Sequence, residues 1–179
     1  MATTRNDKAK EKSPFRLRRE ELGYSREKAA ELIDGMTVER LERIENGKLD
    51  VRPDEILVMS RTYRKPELAN HYCSHLCAIG RSYVPEVVVD DLPRVTLRMV
   101  ASIESLKKCK KRLVEIAADG IIDETEVADF LGLQEKLEEL SVAIESLQLW
   151  TEQMVADGII DETAYNREKA KWQKQADSA

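Results

Sequence analysis

Both histidines of this chain and two of its three cysteines fall within seven residues, HYCSHLC, at 71–77. Thiolate and imidazole are the preferred ligands of zinc and iron, so metal binding or thiol redox is the first chemistry to test. Helical spacing argues against a complete site. On a helix His71 and His75 share one face, and Cys73 and Cys77 share roughly the opposite one, so four ligands cannot meet at one ion. A Cys-x3-Cys half-site completed by Cys109 or by a partner subunit is what remains. Cys73 and Cys77 are therefore the candidate ligands, while small cysteines buried in a helix are the commoner case, and no metal or cofactor is expected. The seven glycines are scattered, with no phosphate-cradling loop and no nucleophile, base and oxyanion arrangement, which argues against an enzyme.

A second chemistry lies in MTVERLERIENGK, residues 36–48. It reads as a short amphipathic helix with a hydroxyl at its front and Asn-Gly at its back, two of its arginines pointing away from the apolar side. Such a helix either reads DNA or is a solvated surface helix.

The elements that would position it are short and well punctuated. Ser13-Pro14 supplies a cap and a first-turn proline for FRLRREEL, which Gly23 closes. Ser25 caps REKAAELI, stopped by Asp34-Gly35, and Thr37 caps VERLERIE, which ends at Asn46-Gly47. Arg52-Pro53-Asp54-Glu55 opens a fourth helix, EILVMSRTY, with acids where the helix dipole favours them. Pro66 precedes a fifth, over about 67–77. Leu17, Ala30, Ile33, Val38 or Leu41, Ile44 and Ile56 supply a small core at helical spacing. The chain thus predicts a disordered tail over 1–13, a five-helix head over 14–79, and an extended linker over 80–91. That linker, β-branched and proline-punctuated in SYVPEVVVDDLP, has room for one short edge strand.

Beyond it the helices lengthen, making a helical domain over 92–176. Residues 92–119 place Met99, Ile103, Leu106, Leu113 and Ile116 on one stripe. Over 123–157, Phe130, Leu133, Leu137, Leu140, Ile144, Leu147, Thr151 and Met154 alternate steps of three and four, a heptad seam. A third helix runs from 161 to about 175. The repeat ADGIIDET, at 118–125 and 156–163, suggests a calcium loop, but glutamine and alanine stand where carboxylates are needed. It reads instead as two helical corners. Gly120 and Gly158 take the left-handed turn, the next Ile folds back on the helix just ended, and Asp123 and Asp161 cap the following helix. The fold class is all-α, the tail being a three-helix bundle or an antiparallel coiled coil. Its seam serves self-association or closes the tail on itself.

Composition agrees: 42% apolar and 35% charged residues with only 5% aromatics favour helices over sheets. The net charge of −5 hides an asymmetry. Residues 1–66 carry 16 Lys and Arg against 13 acids, whereas residues 67–179 carry 13 against 21. A mildly basic front and an acidic back fit a DNA-binding head on an acidic partner domain. The opening MATTRNDKAKEK has no apolar core and no run approaches the roughly 20 residues of a membrane span, so neither export nor a membrane role is expected. Three cysteines without an export signal point to the reducing cytoplasm.

FRLRREELGYSREKAAELIDGMTVERLERIENGK resembles the Cro/repressor-type helix-turn-helix family, also called the xenobiotic-response-element family, over residues 15 to about 64. The points of likeness are LRREELGYS, Ala30 at the buried position of the second helix, and the closing RIENGK. The segment NHYCSHLCAIGRSYVPEVVVDDLP is similar to a group of such regulators in anaerobic Gram-positive bacteria and their prophages. The resemblance implies a helix-turn-helix whose second helix lies in the major groove of double-stranded DNA. It implies base-edge contacts for Val38, Glu39 and Arg43, and phosphate contacts for Arg26, Thr37, Arg40, Asn46 and Lys48. Arg43 would bond guanine, Glu39 would accept from a cytosine amine, and Val38 would touch a thymine methyl. Arg19 and Glu45 would form an orienting ion pair. The turn AELIDGMT is one residue longer than the usual family form. A homodimeric operator-binding regulator is the leading expectation, with a possible protein partner on the tail helices. The alternative is an antitoxin-like or phage-encoded adaptor that keeps the fold but binds protein.

Overall fold

The computed structural model describes residues 12–118 and 120–176, so the tail expected over 1–13 lies almost wholly outside the described residues. Among the described residues every regular element is a helix. The chain divides into two compact units, one up to Val84 and one from Pro85.

The first unit opens with α1 (Pro14–Glu21), where the Ser13 hydroxyl accepts the Arg16 amide. Helices α2 (Arg26–Leu32) and α3 (Val38–Glu45) begin in the same way, at Ser25 and Thr37, each hydroxyl taking the amide three residues on. One orphan donor is thereby satisfied at each N-terminus. Helix α3 ends at Gly47, whose φ of +65 lets the amides of Gly47 and Lys48 close on the carbonyls of Ile44 and Arg43. Helix α4 (Pro53–Thr62) follows, then α5 (Glu67–His71).

The core of this unit is Phe15, Ala29, Ile33, Met36, Leu41, Ile44, Val51, Ile56, Met59, Tyr63 and Leu68. Two expected members are displaced. Leu17 is 45% exposed, because α1 turns Phe15 and Arg19 inward instead. On α2 it is Ala29 that is fully buried, while Ala30 is only partly so. On α1 the phase follows from a charged Arg19 at an inward position.

The fifth helix stops short of its predicted end. After His71 the backbone widens into a π-helical turn, Tyr72–Leu76, closed by the Cys77 amide on the Tyr72 carbonyl at 2.9 Å. The extended linker predicted from residue 80 also starts late, since Gly80–Tyr83 is a further helical turn, α6. Gly80 is required there: a Cβ on it would sit 2.1 Å from the Cys73 carbonyl oxygen. The edge strand allowed for residues 80–91 is absent among the described residues.

The second unit holds α7 (Leu92–Ile116), α8 (Val127–Ala156) and α9 (Glu162–Ala176). Asp91 caps α7, Asp123 accepts amides from Thr125 and Glu126 ahead of α8, and Asp161 accepts the Ala164 amide in the first turn of α9. The two corner glycines have φ of +73 and +74, but Ile121 and Ile159 are exposed rather than folded back. Helices α7 and α8 pack together while α9 buries no side chain, so of the two arrangements expected for the tail the packed helix pair is the one observed. The buried line on α8 is also rotated from the expected seam. Leu133 and Ala143 are buried, whereas Leu137 and Ile144 are largely exposed. No helix among the described residues is long and apolar enough to cross a membrane.

Candidate nucleic-acid interface

Helix α3 is held from behind by three kinds of contact. Leu41 and Ile44 enter the apolar core, and Glu45 follows them as a fully buried carboxylate. Arg19 of α1 meets that carboxylate through two bonds, Nε to Oε1 at 2.5 Å and Nη2 to Oε2 at 3.0 Å. Its third nitrogen donates to the Tyr24 carbonyl at 2.6 Å, and the pairing raises the arginine's pKa. Arg26 of α2 donates its Nε to the same Glu45 at 2.9 Å. One buried acid thus ties α1, α2 and α3 together, and a paired, bonded charge is the only kind an interior tolerates.

A second clamp repeats the arrangement at the other side of α3. Glu55 is buried in the first turn of α4 and takes two bonds from Arg40, from Nε and from Nη2. It also accepts the Arg52 amide at 2.9 Å and lies 3.3 Å from the Arg52 guanidinium. The bonds from Arg40 hold the Glu55 carboxyl below its usual range against the opposing effect of burial.

The outer side of α3 is different. Glu39 and Arg43, one turn apart, are exposed, Val38 is half-buried, and neither Arg43 nor Lys48 has a side-chain partner among the described residues. Thr37 and Asn46 are exposed at the two ends of the helix, where Thr37 is the cap. The eight residues assigned to DNA therefore divide. Val38, Glu39, Arg43, Thr37, Asn46 and Lys48 lie on or beside α3, facing outward or at its ends. Arg26 and Arg40 are half-buried and committed to carboxylates, with only part of each guanidinium left over. Glu55 was not legible as part of this site, although an acid three residues after a cap position is a recognisable sign of a helix start.

The histidine–cysteine stretch is organised by packing. The rings of His71 and His75 stack at 4.4 Å, Phe15 meets His71 edge-on at 6.2 Å, and the Cys77 sulfur accepts the Gly80 amide at 3.4 Å. Cys73, Cys77 and Cys109 are free thiols, and among the described residues no group of three or more His, Cys, Asp or Glu could hold a metal ion.

No curated protein and no solved structure matches the chain. Residues 15–68 match the family model for the helix-turn-helix, a DNA-binding regulatory type, so the first unit carries such a domain.

Proposed function

We propose that this is a cytoplasmic, sequence-specific transcriptional regulator that lays α3 in the major groove of operator DNA. The observation that carries the reading is Arg43: an exposed guanidinium without a partner among the described residues, on the outward side of a helix whose inward side is locked by Leu41, Ile44 and the Glu45 clamp. A base-reading arginine needs this combination of a free fork and a fixed axis. Val38 and Glu39 are the other base-edge residues. Thr37, Asn46 and Lys48 fix the phosphate register, with Arg26 and Arg40 adding what their carboxylates leave free. The chain acts as a homodimer, reading half-sites about one helical turn apart, roughly 34 Å. The tail helices also offer surface to a protein partner, and the stretch around HYCSHLC supports placement in the prophage-associated group of repressors.

Selection from a random duplex pool at near-physiological salt tests this. One motif should be enriched, and Arg43→Ala should weaken binding to it about 10-fold or more while relaxing preference at one base pair per half-site. Equal binding to selected and random duplex, unchanged by Arg43→Ala, would replace this reading with the protein-binding adaptor.

A further inference from the structure

We infer that one flank of the α7–α8 pair is a self-association surface, on which a second copy of this chain sits with its α8 against α7. The inference rests on the reading of the protein as a dimeric DNA binder and specifies the dimer's surface and symmetry.

The apolar stripe of each helix is wider than its neighbour covers. Helix α7 turns Val95, Ser102 and Ile116 inward, yet Leu92, Val100 and Ile103 remain 38%, 52% and 39% exposed. At 3.6 residues per turn these three lie roughly 100° round the helix from the inward line. Helix α8 buries Leu133, Ala143, Ser146 and Leu149, yet Leu137 and Ile144 remain 49% and 41% exposed, displaced by roughly 130° in the same rotational sense. The two helices are antiparallel: Arg112, near the end of α7, bonds Asp129, near the start of α8, at 2.6 Å. For antiparallel neighbours the same sense of rotation carries both stripes to the same flank. The Arg112–Asp129 pairing also sets Ile103 level with Leu137, so Leu92, Val100 and Ile103 of α7 and Leu137 and Ile144 of α8 share one face.

Charge selects what covers that face. Helix α7 carries seven Lys or Arg and two Glu, and α8 carries six acids and one Lys. Like helices repel and unlike helices attract. A two-fold axis parallel to the helices places α7 on the partner's α8 and, by symmetry, α8 on the partner's α7. The result is a four-helix bundle in which every adjacent pair is antiparallel and opposite in charge. A two-fold axis across the helices would instead stack α7 on α7 and α8 on α8. The favoured symmetry also brings both α7 N-termini to one end of the bundle, so both chains leave for their DNA-binding units from that end.

Sedimentation equilibrium of the full chain without DNA is the test. The wild type should have twice the chain mass at micromolar concentration. Ile103→Glu, which faces the partner's acidic α8, and Ile144→Lys, which faces the partner's basic α7, should each weaken the dimer about 100-fold or more. Leu97→Glu, on the outward side of α7 and 71% exposed, should leave the dissociation constant within about threefold. Unchanged far-UV helicity certifies each variant; where one loses helicity, the double variant Ile103→Ala, Ile144→Ala replaces it. A monomeric wild type, a dimer indifferent to both flank substitutions, or equal disruption by Leu97→Glu would overturn the inference. A dimer with no sequence preference would overturn only the operator reading, and a monomer that still selects one motif would overturn only this surface.

Discussion

At the scale of single residues, two buried polar groups that lie close together have opposite consequences. Glu45 is fully buried and answers two arginines, so removing its charge leaves the Arg19 cation without its buried counter-charge. Breaking such a pair from one side costs about 3–5 kcal/mol. Glu45→Gln should therefore lower the melting temperature of the first unit by roughly 12–40 °C in calorimetry. Tyr63 is as deeply buried, and its hydroxyl finds no hydrogen-bond partner among the described residues; burial pushes its pKa up. Tyr63→Phe removes that orphan without opening a cavity, so its melting temperature should equal or exceed the wild type's. Glu55 adds a pH dependence. Its folded pKa lies below the ordinary carboxylate value of 4.5, so its contribution is complete above that value and is lost as pH falls through the folded pKa. Between about pH 5 and 3 the wild type should lose stability more steeply than Glu55→Gln, which has no such proton to take up.

At the scale of elements, one substitution should act in opposite directions at two glycines. Gly47 closes α3 with φ of +65, a region an L side chain enters at a cost of about 1–2 kcal/mol. Gly132 lies inside α8, and a Cβ there would meet nothing within 4 Å. Gly47→Ala should destabilise the first unit by about 1 kcal/mol, and Gly132→Ala should stabilise the second by about 0.5–1 kcal/mol, both read from denaturant midpoints. The Gly47 stop, like the Ser13, Ser25 and Thr37 caps, was plain in the sequence, because capping is chemistry local to a few residues. Helical phase was less legible. With Phe15 and Arg19 inward, Leu17 is left outside, and counting apolar residues does not find an inward arginine. On α8 the residues from Phe130 to Met154 form two interleaved heptad lines, and only the neighbouring helix decides which one is covered. The π turn was hidden as well, and so was the close approach of its Cys73 carbonyl to Gly80, seven residues on.

At the scale of the whole molecule, the two buried acids reduce the charge that the protein presents to DNA. Arg26 and Arg40 each have a cation's formal charge, but Glu45 and Glu55 lie within 3 Å of them. Lys48 is the remaining cation of the proposed phosphate set and has no such neighbour among the described residues. If all three neutralised phosphates fully, a dimer would release about six counterions, and the logarithm of the binding constant would fall against the logarithm of salt with a slope near −5. The carboxylates cancel part of this, so the expected slope for the dimer on its selected site is shallower, about −3 to −4. Glu55→Gln frees the charge shared by Arg40 and Arg52, so at a temperature where the variant stays folded its slope should steepen by about 1 to 2 for the dimer. Lys48→Ala should make the slope shallower by a similar amount. Titrations across several salt concentrations measure both. A Glu55→Gln slope equal to the wild type's would mean that Arg40 and Arg52 stay off the phosphates even when released. The second clamp would then serve only to hold α3 on α4.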